Sequence, residues 1–156
     1  MRHPIVAGVD GSPQSRAVAS VAARLARGLD RRLILAHAAT DPSTFLIPDA
    51  GERGRQRARA IGQGFALLKS IAPNLPDAVG QTAVVLGSPA EALASLCHQE
   101  QAELLVVGSR GRGALSGALL GSVSRALAAS APVPVLVVPP NARLAERAAA
   151  RSDASR

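Results

Sequence analysis

Residues 103–139 read ELLVVGSRGRGALSGALLGSVSRALAASAPVPVLVVP, and this stretch decides the architecture. An apolar run ends at Gly108, Gly111 follows three residues on, and after nine more residues come Gly121 and Ser122. A helix-forming segment, 121–130, leads into a second apolar run at 133–138. Strand, loop, helix, strand is the unit that joins parallel neighbours in a sheet. Glycines just beyond a buried strand and just before a helix let backbone N–H groups approach a phosphate with no Cβ in the way. The segment therefore suggests a nucleotide pocket. It is not a P-loop: the chain has no Gly-Lys pair and no G-x-G-x-x-G.

The same alternation runs upstream. Residues 4–10 (PIVAGVD) form a short apolar strand, and Ser12 and Pro13 follow as an N-cap and first-turn pair. Val18, Val21, Ala22, Leu25 and Leu29 then recur at helical spacing, with Gly28 as a stop signal. Residues 32–38 are a second strand, and a loop carrying Phe45 leads to a helix over 52–71. That helix sets Ile61, Phe65, Leu68 and Ile71 on one face, against the interior glycines Gly62 and Gly64. Pro73 and Pro76 break the chain before a third strand at 81–86. Ser88, Pro89 and Glu91 open a third helix that reaches Gln99, and strand four covers 103–107. Short, nearly all-apolar strands between helices predict a doubly wound α/β domain, its parallel sheet covered on both faces. One domain over 1–140 is expected, followed by a basic Ala/Arg-rich tail over 141–156 that reads as disordered.

Composition narrows the function. Hydrophobic residues make up 47% of the chain, yet there are two Phe, no Trp and no Tyr, so the core is aliphatic. Without aromatics to stack on bases, single-strand nucleic-acid binding is disfavoured. The formal net charge of +7 invites a nucleic-acid reading, but the positive charge is scattered arginine. Arg53, Arg55, Arg57 and Arg59 stand two apart, which spreads them around a helix instead of along one face. Cys97 is the single cysteine and excludes an intrachain disulfide framework. Its place in an amphipathic helix reads as an inert core thiol. The N-terminus lacks the apolar stretch of a signal peptide, and the uncharged stretch 126–142 holds four prolines, too broken to span a bilayer. A cytoplasmic protein without a membrane partner is expected.

In an open parallel sheet, ligands bind beyond the carboxyl ends of the strands where strand order reverses. If strands one and four are neighbours, Asp10 faces the glycine loop across such a crevice. Asp10 would accept hydrogen bonds from a ribose, while N–H groups around Gly108, Gly111, Gly121, Ser122 and Val123 would hold phosphates. Ser122 and Ser124 add hydroxyls at a helix N-terminus, and Arg110 and Arg112 would screen phosphate charge. Spacing alone leaves a second reading open, with Asp10 as a helix cap and the glycines as turns. His3, His37 and His98 have no partners at metal or triad spacing.

These residues resemble a known family. The spacing Gly108-x-x-Gly111, nine residues, Gly121-Ser122 is similar to the ATP-binding signature of the universal stress proteins. So are VAGVDGSPQS, GSPAEAL, VVGSRGRG and GSVSRALAASAPVPVLVV, an ordered set covering residues 4–139. The resemblance implies strand order 3-2-1-4-5 in a five-stranded sheet and homodimers formed through the last strand, residues 133–138. It also implies ATP as the ligand, with or without Mg²⁺. Asp10 and Ala38 would frame ribose and adenine, and Val107 would line the base pocket. Gly108, Gly111, Gly121, Ser122, Val123 and Ser124 would hold the phosphates, with Arg110 beside them. Ala38 is smaller than the Val common at its place, which implies looser packing on the base. The implied function is a dimeric, nucleotide-dependent sensor or signalling module of the stress response. A slow ATPase or phosphotransferase and a nucleotide-free dimerisation scaffold are the alternatives.

Overall fold

The structure, a computed structural model, describes residues 3–41, 49–75, 79–111 and 120–142. Its elements follow in the order β1 (Ile5–Gly8), α1 (Ser15–Gly28), β2 (Leu33–Ala39), α2 (Ala50–Ile71), β3 (Val79–Leu86), α3 (Pro89–Gln99), β4 (Leu104–Gly108), α4 (Ser122–Ser130) and β5 (Val135–Val138). A short 3₁₀ turn over Ala72–Asn74 ends α2. The five strands form one parallel sheet in the order β3-β2-β1-β4-β5. Phe45, Arg112 and the tail from 143 onward lie outside the described residues.

Alternation along β1 divides the core into two layers. Ile5, Ala7 and Val9 face α1 and α2 with Val18, Ala22, Leu68 and Ile71. Val6 faces the other way, towards Leu93, Leu96, Cys97 and Leu127 of α3 and α4. A strand buried on both faces must be apolar at every position, which is why these segments read as continuous runs. Successive crossovers from β1 to β3 keep one hand and put α1 and α2 on one face. The jump from β3 to β4 reverses direction and puts α3 and α4 on the other. Among the described residues, no helix is long and apolar enough to cross a membrane.

The helix faces differ from expectation at two places. Phe65 is 46% exposed, whereas Leu68 and Ile71 are buried. The buried stripe of α2 instead passes through Gly64, because a Cβ there would stand 2.9 Å from both methyls of Val84 and 3.0 Å from the His37 ring. The glycine that weakened the helix by propensity is the point where the helix lies closest to β2 and β3. Leu29, counted with the α1 stripe, falls at the C-cap and is exposed. Cys97 meets expectation: it is fully buried, and burial pushes its thiol up to about 11, far from the reactive thiolate range.

The two interior glycines of α2 therefore make opposite predictions. A Cβ on Gly62 meets nothing within 4 Å, so Gly62→Ala should stabilise the protein by about 0.5–1 kcal/mol. Gly64→Ala should destabilise it by about 1–3 kcal/mol, because stiff Val84 must move. Chemical denaturation of both variants checks this. A Gly64→Ala protein as stable as Gly62→Ala would contradict the packing described.

Candidate functional site

Strand order reverses between β1 and β4, since the chain leaves β1 for β2 on one side and returns to β4 on the other. A cavity of about 940 Å³ opens at the carboxyl ends of the strands there. Of the residues singled out from sequence, Asp10, Ala38, Val107, Gly108, Arg110, Gly111, Gly121, Ser122, Val123 and Ser124 line it, and Arg112 lies outside the described residues. On the α3/α4 side the wall is apolar, with Ala38, Leu93 and Val107, and Pro89 stands at the start of α3.

The β1–α1 turn places the Asp10 carboxylate. Gly11 takes φ +81°, a left-handed conformation natural to glycine. Asp10 Oδ1 then accepts from the Ser12 N–H at 2.9 Å and the Ser15 hydroxyl at 3.2 Å. Ser15 Oγ accepts in turn from the Gly11 N–H at 3.0 Å. The helix is thus launched by Asp10 and Ser15 and not by the expected Ser12 cap. α1 starts at Ser15, and the residue at its N-cap, Gln14, makes no side-chain capping bond. Oδ1 thus organises the turn before α1, while Oδ2 lies on the side of Gly111. A Cβ on Gly111 would stand 2.7 Å from that oxygen, so the loop reaches the carboxylate only because position 111 has no side chain.

Gln14 was not anticipated, and it ties the site together. It is buried, and its Nε2 donates to Val138 O at 2.7 Å and Ser109 Oγ at 3.4 Å. Its Oε1 accepts from the Arg110 N–H at 3.1 Å. One amide therefore joins the start of α1, the root of the glycine loop and the last residue of the edge strand. The Arg110 N–H, taken by Gln14, is withdrawn from any phosphate. The only sequence signal was position: a polar residue in the turn after strand one, where the fold packs turns together.

Ser109 is the other half of this knot. Its N–H donates to Val138 O at 2.8 Å, and its carbonyl accepts from the Gly121 N–H at 2.7 Å and the Ser124 hydroxyl at 3.2 Å. Ser124 is accordingly buried and its proton serves the loop root or Gly121 O at 3.1 Å; a hydroxyl aimed at a ligand was expected. Gly121 holds the N-cap of α4 without a side-chain cap, which leaves the first-turn N–H groups of Ser122 and Val123 without an intrahelical partner. Ser88 likewise occupies the N-cap of α3 without making a capping bond.

His37 also lines the cavity, its Nδ1 within 2.8 Å of Val9 O. A carbonyl can only accept, so Nδ1 is the donor in this bond. Arg125, one turn into α4, completes the described wall near the loop. It was missed, although its place four residues after Gly121 puts it on the same helix face.

Known proteins are similar to this chain in sequence and fold. The sequence model of the universal stress protein family matches residues 1–139. The chain is 36% identical over 134 residues to the universal stress protein Rv2005c of Mycobacterium tuberculosis, covering 86% of this chain and 44% of that one. It therefore spans less than half the length of that curated relative. A universal stress protein from Thermus aquaticus, encoded in a QAH/OAS sulfhydrylase 3′ region, is 33% identical over 143 residues, with 88% and 99% coverage. A universal stress protein crystallised in complex with cAMP superposes with a TM-score of 0.67 at 29% identity, covering 87% of this chain and 96% of that one.

Replacing Gln14 tests the knot directly. Gln14→Leu should destabilise the protein by about 1–3 kcal/mol, because the Arg110 N–H loses its partner. Amide exchange should accelerate at Arg110, while Ser109, bonded to Val138 O, keeps its protection. Equal acceleration at both amides would show general loosening and contradict the assignment.

Proposed function

The chain belongs to the universal stress protein family, and on that premise we propose that it binds an adenine nucleotide, ATP, in the cavity at the β1/β4 reversal. One observation carries the reading: the cavity has two ends of different chemistry, fitted to the two ends of a nucleotide. Ala38, Leu93 and Val107 form an apolar wall suited to a base, and the carboxylate of Asp10 lines the same cavity. The other end gathers the glycine loop, the N–H groups of Ser122 and Val123 and two arginines, a set suited to phosphate oxygens. The relative solved with cAMP supports a nucleotide ligand. Bound phosphates would accommodate Mg²⁺ from solvent, with Asp10 as the nearest carboxylate.

Binding is favoured over turnover. Efficient phosphoryl transfer needs a positioned water and a group to orient it. Asp10 is the one carboxylate on the described wall, and its Oδ1 is already engaged by Ser12 and Ser15. We therefore read the protein as a nucleotide-dependent sensor or signalling module of the stress response, working in the cytoplasm, with slow hydrolysis as the lesser alternative. We further propose a homodimer through β5. That strand pairs on one side with β4 and carries Leu136, 37% exposed, on an edge that would otherwise recruit other strands.

Two measurements decide these points. Protein purified from cells and then denatured should release ATP, or the emptied protein should take it up in a calorimetric titration. Gly121→Val should abolish uptake without loss of fold, since a Cβ at 121 meets Ser109 O at an ordinary 3.4 Å and the added methyls intrude on the loop. A wild-type protein that neither carries nor takes up nucleotide would sink the proposal and favour a scaffold role. Light scattering at micromolar concentration should give a dimer that Leu136→Asp converts to a monomer; a monomeric wild type contradicts the interface.

A further inference from the structure

Among the described residues, the phosphate end of the cavity gathers more cationic than anionic side chains. Arg110 enters at the start of the glycine loop and Arg125 from the first turn of α4, beyond the loop's end, and both line the cavity. Arg125 Nη2 donates to Leu120 O at 3.3 Å, which ties its guanidinium to the residue just before Gly121. Four arginines elsewhere pair with acids: Arg31 with Glu103, Arg32 with Glu100, Arg55 with Glu52 and Arg57 with Asp41. Among the described residues, neither Arg110 nor Arg125 has a carboxylate partner. The one acid on the described wall, Asp10, has Oδ1 committed to the β1–α1 turn. Two arginines thus line a cavity whose described wall carries a single carboxylate, and the positive end of the α4 dipole adds to the excess.

Resting on the nucleotide reading above, we infer that Arg125, acting with Arg110, makes this site selective for the number of phosphates: it takes nucleoside triphosphates and diphosphates in preference to a monophosphate or a cyclic monophosphate. The apolar wall is indifferent to phosphate count, since it meets only the base. The guanidiniums are not. A cyclic monophosphate carries one negative charge on a diester, whereas a triphosphate carries several, spread over three groups that can engage more than one guanidinium. Guanidinium forks bind such oxygens through charge-assisted pairs. Each added phosphate therefore strengthens binding at the arginine end and leaves the base end unchanged.

Calorimetric titration with ATP, ADP, AMP and cAMP tests this on the wild type, on Arg125→Ala and Arg125→Lys, and on Arg27→Ala as a charge control at the far end of α1. Wild type should rank ATP and ADP above AMP and cAMP. Arg125→Ala should lower ATP affinity by about tenfold or more and lower AMP affinity much less, so that the ATP-to-AMP ratio collapses. Arg125→Lys should recover part of that ratio, which a merely unfolded site would not do, and Arg27→Ala should leave it unchanged. A flat ranking in wild type, an equal loss of ATP and AMP in Arg125→Ala, or the same collapse in Arg27→Ala would overturn the inference while leaving nucleotide binding intact. Failure of all four nucleotides to bind wild type would overturn both.

Discussion

Everything at the site depends on the burial of β1 from four directions. It is paired with β2 on one side and β4 on the other, and it is covered by α1 above and by α3 and α4 below. A parallel strand enclosed this way has no free edge, and crossovers of one hand can enclose it only if the chain reverses direction across the sheet. The reversal leaves the turns after β1 and β4 facing each other with no crossover between them. A cleft results from connectivity before any residue specific to a ligand is chosen.

The residues at that cleft then divide their labour. Gln14, Ser109 and Val138 hold the turns together through hydrogen bonds within the protein, and Gly111 permits the loop to lie against Asp10. These groups face inward and set the shape. Arg110, Arg125 and the exposed start of α4 face the cavity with fewer commitments. Preorganised backbone N–H groups and arginines in the same cleft are the features on which the proposed phosphate site rests. The coupling of Gln14 to Val138 O also gives the cleft a direct mechanical link to the edge strand.

Much of this was legible in the sequence because the signals were local. Apolar runs, glycine positions and the order of elements recovered the layer structure, and residues at strand ends converged on one cavity because strand ends always meet there in this architecture. The strand order itself came from resemblance, since periodicity does not say which strands are neighbours. What escaped was set by contacts distant in the chain. Phe65 and Gly64 exchange roles because Val84 and His37 decide how α2 is rolled, and Gln14 matters through residues near 109 and 138. Ser12 lost its capping role to Ser15 because Asp10 and Gly11 shape the turn before the helix begins.

The central claim is that phosphate-bearing nucleotide sits between the turns after β1 and β4. Hydrogen exchange followed by mass spectrometry, with and without saturating ATP, measures this most directly. The account predicts protection at Gly111 and at Ser122 and Val123, with α2 unchanged. No protection at these amides, or protection confined to α2, would contradict it.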